Sequence, residues 1–208
     1  MKRLAKIIAV ILSLLTLTAV FASCAGGKTE EIINTVKFPE SYSISYEVKD
    51  ADGIIRTLSK TVDAEGNVHF VSGEYEIKFI CDGENYTEYT KDENGEFISV
   101  SGTKVNKEYV EAATAEFHTY AEESLKQHLP TAEEIEGENR LGRECRVFEV
   151  VVGIKSFNTT YLYYVDSETG ICLGFESSMV LAGIDVQTDD TVFTCVEFIT
   201  EGIEIIEV

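Results

Sequence analysis

The chain has 208 residues, of which 44% are hydrophobic and 26% are charged, with two prolines and no tryptophan. This composition excludes a disordered chain, and the length allows one domain with a hydrophobic core. The net charge of −20 repels phosphate backbones, so nucleic acid is not expected as a partner.

The first 23 residues predict a signal peptide. Three basic residues precede an apolar run over residues 7–22. The run is short for a membrane-spanning helix, which needs about 20 residues, but it suits the apolar region of a signal peptide. We therefore expect this segment to direct the chain out of the cytoplasm and to be removed.

The end of that run resembles the bacterial lipoprotein signal, or lipobox. The sequence FASC at positions 21–24 places small residues directly before a cysteine. The resemblance implies cleavage after Ser23 and attachment of a lipid to the Cys24 thiol, which would hold the domain at a membrane surface without spanning it. Residues 24–38 would then be anchor and tether, and residues 39–208 the domain. The alternative is an ordinary secretory signal.

The first half of the domain alternates apolar and polar residues with the period of a β-strand. Asp-Gly and Asn-Gly pairs between the runs are typical of tight hairpins, because these residues tolerate positive φ. We predict a meander of six antiparallel strands over residues 42–49, 54–63, 68–72, 75–81, 86–91 and 96–101.

A helical period interrupts the strands over residues 107–128. The apolar stripe of this predicted helix comprises Tyr109, Ala112, Ala113, Phe117, Tyr120, Ala121 and Leu125. Asn106 is the predicted N-cap, and Pro130 ends the segment. The acidic stretch over residues 131–138 is predicted to be a second short helix or a solvated loop.

Strand patterns resume after the helix, over residues 144–152, 159–165, 171–176 and 191–199. Residues 177–190 are predicted to form a loop with one short strand, and residues 203–208 a further edge strand. This order of elements predicts an α+β fold, in which a curved antiparallel sheet (a half-barrel) of about ten strands is covered by one main helix.

The C-terminal strands resemble the lipoprotein-carrier (LolA/LolB-like) superfamily. The likeness lies within residues 140–203, in LGREC at 141–145 and in YLYYVDSETGICL at 161–173, which contains an Asp-x-x-Thr-Gly hairpin turn. The resemblance implies a half-barrel whose concave side is closed by helices and holds acyl chains or other apolar ligands. It implies no catalytic residues.

If the domain follows that family, its ligand lies between the helix and the concave face of the sheet. Small residues in the helical stripe would leave space there for the ligand. The candidate ligand-binding residues are Tyr42, Ile44, Tyr46, Ile77 and Phe79 on the strands and Ala113, Phe117 and Tyr120 on the helix.

The motifs of common enzyme and metal sites are absent from the sequence. It has no nucleophile elbow, phosphate-binding loop or dinucleotide fingerprint, so we expect no enzyme and no cofactor. Zinc ligands are dispersed, and the spacing of His118 and Glu122 predicts a surface pair on the helix. The cysteines Cys81, Cys145, Cys172 and Cys195 permit two disulfides in three pairings, or remain buried thiols.

Two functional hypotheses follow. The first is a non-catalytic extracytoplasmic lipoprotein, held at the cell membrane through lipidated Cys24, that binds a lipid or another apolar or amphipathic ligand in its half-barrel. The second is an envelope module for protein interaction or sensing, with no small-molecule ligand and an unknown protein partner. A cavity beside the helix would favour the first hypothesis.

Overall fold

The structure is a computed structural model that describes residues 36–49, 52–124, 126, 131–154, 157–181, 184–186 and 192–205. The predicted signal peptide and the lipidation site, with Ser23 and Cys24, lie outside these residues. The end of the predicted tether, residues 36–38, is described. Its Lys37 amide donates to the Thr169 carbonyl over 2.8 Å, so the tether already contacts the domain there.

In the described part of the chain, twelve strands form one open, curved antiparallel sheet, which confirms the predicted half-barrel. The N-terminal strands are β1 (Tyr42–Lys49), β2 (Ile55–Val62), β3 (Val68–Ser72), β4 (Tyr75–Cys81), β5 (Tyr86–Lys91) and β6 (Phe97–Val105). The C-terminal strands are β7 (Glu133–Arg140), β8 (Arg143–Ile154), β9 (Phe157–Asp166), β10 (Cys172–Leu181), β11 (Ile184–Val186) and β12 (Val192–Ile199).

The first and last strands are neighbours in the middle of the sheet. The strand order is β6-β5-β4-β3-β2-β1-β12-β10-β9-β8-β7, with β11 beside β10. β1 pairs with β12 from Ser43 opposite Ile199 to Lys49 opposite Val192, and we call this pairing the central seam. Among the described residues, β12 meets β10 only near Phe175. The seam therefore joins an N-terminal half-sheet to a C-terminal one.

The hydrophobic core lies on the concave face of the sheet. Alternate residues of the central strands point into it, as the period of a strand requires. Those that are almost fully buried include Tyr42, Ile44, Tyr46, Leu58, Phe70, Ile77 and Phe79. The helical segment supplies the opposite side of the core, where Phe117 and Ala121 have no exposed surface.

The continuous helix predicted over residues 107–128 is wrong. The segment consists of α1 (Lys107–Ala113), α2 (Ala115–His118) and a π-helical turn (Thr119–Glu123). Predicted stripe residue Leu125 lies outside the described residues. No helix in the described ranges has the length and hydrophobicity needed to cross a membrane.

The helix breaks at Thr114, where the backbone leaves the helical region with φ −107° and ψ 12°. Its buried hydroxyl and its amide both donate to the Val110 carbonyl, over 3.0 and 3.1 Å, and a threonine hydroxyl bonded in this way favours a bend in a helix. At the other end of α1 the sequence prediction is confirmed, since the Asn106 side chain accepts a hydrogen bond from the Tyr109 amide over 3.0 Å.

The helix or loop predicted over residues 131–138 is also wrong, because β7 occupies most of that range. β7 pairs with β8 from Glu133 opposite Glu149 to Arg140 opposite Arg143. Its side chains are almost all exposed, so the strand shows no alternation of apolar and polar residues. Pairing with a neighbouring strand, which local composition does not reveal, determines its structure.

The predictions for residues 177–190 and for residues 203–208 had different outcomes. The short strand expected within residues 177–190 is present as β11, and β10 continues to Leu181. The edge strand predicted over residues 203–208 is not formed at residues 203–205, and the remainder lies outside the described residues. Instead, the Ile205 amide donates to the buried carboxylate of Asp63 over 3.2 Å.

Candidate functional site

A cleft of about 690 Å³ opens between the concave face of the N-terminal half-sheet and the helical segment. Its volume falls in the range of roughly 300–1,000 Å³ that is usual for small-ligand pockets. The apolar part of its wall is formed by Phe38, Tyr42, Val62, Val68, Tyr86 and Val110. The charged and polar part includes Lys60, Lys107, Glu111, His118, Glu122 and Glu123.

The segment before β1 helps to shape one end of this cleft. The ring centroids of Phe38 and Tyr42 lie 5.1 Å apart, and the Phe38 ring meets the His118 ring edge-on at 5.5 Å. Phe38 therefore connects the first strand with the end of α2. Phe38, which the sequence analysis assigned to the tether, is therefore part of the aromatic wall of the cleft.

Lys60 is the most buried charged residue of the cleft, with 5% of its surface exposed. It occupies an inward position of β2, between the inward residues Leu58 and Val62. Its Nζ donates to Nε2 of His118 over 2.8 Å, and Nδ1 of His118 donates to Glu122. Since an ammonium group cannot accept a hydrogen bond, this chain of contacts requires the His118 tautomer that carries its proton on Nδ1.

The ammonium group of Lys60 is poorly compensated in this position. Burial lowers the pKa of Lys60 from its ordinary value of 10.5 to about 8, and Lys107 contributes to the lowering. The carboxylates of Glu111 and Glu122 oppose the effect only in part. A negative charge placed next to the Lys60 ammonium group would therefore stabilise its protonated form.

The arrangement suits an amphipathic molecule. An aliphatic chain can lie against the aromatic and valine side chains, while an anionic group at its end approaches Lys60.

The structure separates the eight sequence-predicted ligand residues into two groups. Tyr42 lines the cleft. The other seven belong to the packed core beside it or pack against that core, namely Ile44, Tyr46, Ile77, Phe79, Ala113, Phe117 and Tyr120. These seven side chains form or contact the packed core. None of them lines the cleft, which lies beside the core.

The sequence analysis did not predict that Lys60, His118 and Glu122 line the cleft. His118 and Glu122 do form the predicted pair, but the pair is half-buried and bonded to Lys60. The signal for Lys60 was present in the alternation of β2, where a lysine occupies a position that should be apolar.

The four cysteines of the described domain are free thiols. Burial raises the pKa of the Cys172 thiol to about 11 and that of Cys195 to about 12. These groups therefore stay protonated at neutral pH and act as small apolar side chains. The described residues contain no group of three or more His, Cys, Asp or Glu side chains arranged to hold a metal ion.

No protein-family model matches the sequence, and no curated protein matches it either. Among solved structures, a crystal structure of MucB in complex with MucA(peri) is similar at a TM-score of 0.36 and 13% identity, over 82% of this chain and 55% of the matched chain. The complex of Pseudomonas aeruginosa MucA and MucB is similar at a TM-score of 0.37 and 14% identity, over 83% of this chain and 56% of the matched chain. This chain spans about half the length of the chains it matches, and so loose a superposition carries no conclusion about its ligand or partners.

Proposed function

We propose that the chain is a non-catalytic extracytoplasmic lipoprotein that binds an amphipathic ligand with an anionic end in the cleft of its half-barrel. The observation that supports this proposal is the cleft of about 690 Å³, with its apolar wall and its buried, incompletely compensated Lys60. The sequence resemblance to the lipoprotein-carrier superfamily is consistent with it. A fatty acid has the required shape and charge.

Binding of a fluorescent fatty acid, compared with the corresponding fluorescent alcohol, tests the ligand and the role of Lys60 together. The wild-type domain is expected to bind the acid with micromolar affinity. Lys60→Met should weaken binding of the acid by about tenfold or more, since a charge-assisted contact is lost, and should leave binding of the alcohol nearly unchanged.

The matched control is Lys78→Met. Lys78 lies between the inward residues Ile77 and Phe79 of β4, so it belongs to the opposite face of the sheet. This variant should bind both probes like the wild type. If the wild-type domain binds neither probe at micromolar concentration, ligand binding is excluded and the protein-interaction module remains. Equal weakening of both probes by Lys60→Met would contradict the proposed contact with the anionic end.

The membrane anchor is the second part of the proposal, and it is supported by the FASC sequence at positions 21–24. In a bacterial host that lipidates its lipoproteins, the full chain should fractionate with membranes. Cys24→Ala should yield an unprocessed precursor or a soluble protein, because the thioether cannot form. Cys81→Ala, at a cysteine within the domain, is the control and should stay with the membrane. Membrane retention of a correctly cleaved Cys24→Ala protein would exclude the anchor.

A further inference from the structure

Lys60 brings a primary amine to the wall of the cleft without a carboxylate beside it. The residue lines the cleft, and its Nζ lies 5.8 Å from the centroid of the buried Phe117 ring. In the part of the chain that the structure describes, no carboxylate forms an ion pair with Nζ, whose polar contact is the His118 imidazole. The amine is therefore held by an uncharged partner, and loss of its proton breaks no ion pair.

His118 is placed to receive that proton. Its Nε2 accepts from Nζ over 2.8 Å, so the imidazole lone pair already points at the ammonium group of Lys60. On the other side of the ring, Nδ1 donates to the Glu122 carboxylate, which would stabilise the imidazolium ion formed when the proton moves. An amine, a base and a carboxylate that orients the base are the components of an activated nucleophile.

The charges that face Lys60 come from three elements of the helical segment. Lys107 and Glu111 lie on α1, His118 on α2 and Glu122 on the π-helical turn. Burial dominates over the two carboxylates and lowers the pKa of Lys60 to about 8. At pH 8 about half of the Lys60 amines would then be neutral and nucleophilic, against less than about 1% for a lysine with an ordinary pKa.

We propose that Lys60 forms an imine with the carbonyl group of a long-chain aldehyde bound in the cleft. This inference rests on the proposed function, because the alkyl chain uses the same apolar wall as that of a fatty acid and the polar end again lies at Nζ. The result is stoichiometric capture of the aldehyde as a covalent adduct, without turnover.

The proton passes between Lys60, His118 and the aldehyde oxygen. His118 takes a proton from the ammonium group, the nitrogen lone pair forms a bond to the carbonyl carbon, and the carbonyl oxygen takes the proton back from the imidazolium. The nitrogen of this adduct then gives a second proton to His118, which returns it to the hydroxyl as water leaves and the C=N bond forms. One aldehyde and one ammonium group thus give one iminium ion and one water, with no oxidant or reductant.

Reductive trapping of the purified full chain with decanal and sodium cyanoborohydride tests the proposal. At pH 8, peptide mapping should show alkylation of Lys60 about tenfold or more faster than that of Lys78, on the opposite face of the sheet. Lys107 also lines the cleft, but its side chain is 74% exposed, so it should react as slowly as Lys78. Mapping also separates these adducts from one at the N-terminal amine.

Lys60→Arg keeps the positive charge but cannot form an imine, and it should lose the fast adduct. The matched control, Lys78→Arg, should keep it. His118→Gln retains a hydrogen-bond acceptor but cannot carry the proton. It should slow the trapping at Lys60 by about tenfold or more while binding the fluorescent alcohol like the wild type, a combination that damage to the cleft would not produce.

The outcomes separate the imine from the proposed function. Similar rates of alkylation at Lys60, Lys78 and Lys107 would overturn the imine, as would trapping in His118→Gln as fast as in the wild type. If the wild-type chain binds the fluorescent alcohol but Lys60 is not alkylated, the imine is excluded and the ligand cleft stands. If Lys60 is alkylated selectively in a chain that binds no fatty acid, the proposed ligand is excluded and the reactive amine stands.

Discussion

Asp166 shows how a single carboxylate can hold together a turn and two strands. It is 2% exposed and accepts two hydrogen bonds from the Arg143 guanidinium, over 2.8 and 3.0 Å. The Thr169 amide and hydroxyl donate to the same carboxylate. The Asp-x-x-Thr-Gly motif is thus a structural turn that fixes the β9–β10 hairpin to the start of β8. Burial alone would raise the pKa of Asp166, but the contacts from Arg143 and Thr169 outweigh it and lower the pKa below 3.8.

Asp166→Asn is expected to lower the free energy of unfolding by about 2–3 kcal/mol at neutral pH, because it leaves Arg143 without its buried partner. Since the folded-state pKa is lowered, the ionised carboxylate stabilises the fold above pH 3.8 and loses this effect as the pH falls through its folded-state value. Urea unfolding over a pH series should show the difference between wild type and variant shrinking below pH 3.8.

The control for Asp166→Asn is Glu168→Gln. Glu168 also contacts Arg143, over 3.0 Å, but its side chain is 83% exposed. Exposed ion pairs contribute little to stability, so this variant should unfold like the wild type at every pH. Equal effects of the two substitutions would show that burial of Asp166 is not what makes its contact important.

At the scale of single residues, the sequence predicted the turn after Asp166 but not the partners of its carboxylate. Asp and Gly at a chain reversal are a local signal. Arg143 lies 23 residues earlier, and its contact with Asp166 follows from the pairing of β8 with β9. The contact between Lys60 and His118 likewise depends on the tertiary fold, because it forms only when α2 packs over β2. Pairs of this kind require the tertiary fold.

Among the elements, β7 shows most clearly how a strand can be specified by its neighbour. Its register with β8 shifts between Ile135 and Glu138. Gly137 lies inside this irregularity, where the two backbones come very close. A methyl group added to Gly137 would lie 2.8 Å from the carbonyl oxygen of Cys145. A glycine is therefore needed at this point for the two strands to approach each other.

Gly137→Ala is expected to destabilise the domain by about 1–3 kcal/mol, because the β7 and β8 backbones must move apart. Amide hydrogen exchange should show the loss of protection concentrated in β7 and the facing part of β8. Glu136→Ala, at the exposed neighbouring position of the same strand, is the control and should leave exchange in β8 unchanged. Exchange in Gly137→Ala identical to that of the wild type would mean that the strands can absorb the methyl group.

The elements differ in how far the sequence could predict them. The strands of the N-terminal half-sheet carry a clear period of two, because one face is buried and the other meets water. β7 has no such period, since almost all of its side chains are exposed. The residues over 107–128 do follow a helical period, but the period did not reveal the break at Thr114, where the backbone leaves the helical region. Regular amphipathic elements were therefore predictable, and their interruptions were not.

At the scale of the whole molecule, the order of elements along the sequence predicted a half-barrel. It did not predict the order in which the strands lie side by side in the sheet. A meander places successive strands side by side, and this rule describes β1–β6 correctly. It does not predict that β12 returns to pair with β1, because no local signal marks two strands about 150 residues apart as partners. The position of the cleft depends on the same long-range closure, which brings β12 and β10 under the helical segment, where Tyr120 meets Phe193 at 5.1 Å.

The central seam has a consequence for the order in which the sheet can be completed. During synthesis β1 leaves the ribosome long before β12 exists, so one side of β1 lacks its native neighbour until nearly the whole domain has been made. Pairings between distant parts of a chain also form slowly. A chain interrupted before β12 would lack the strand that joins β1 to β10, in the middle of the sheet. Ile44 and Tyr46, which are buried in the complete domain, lie on β1 next to that missing strand. The β12 side of β1 is therefore the part of the sheet that gains its native neighbour last.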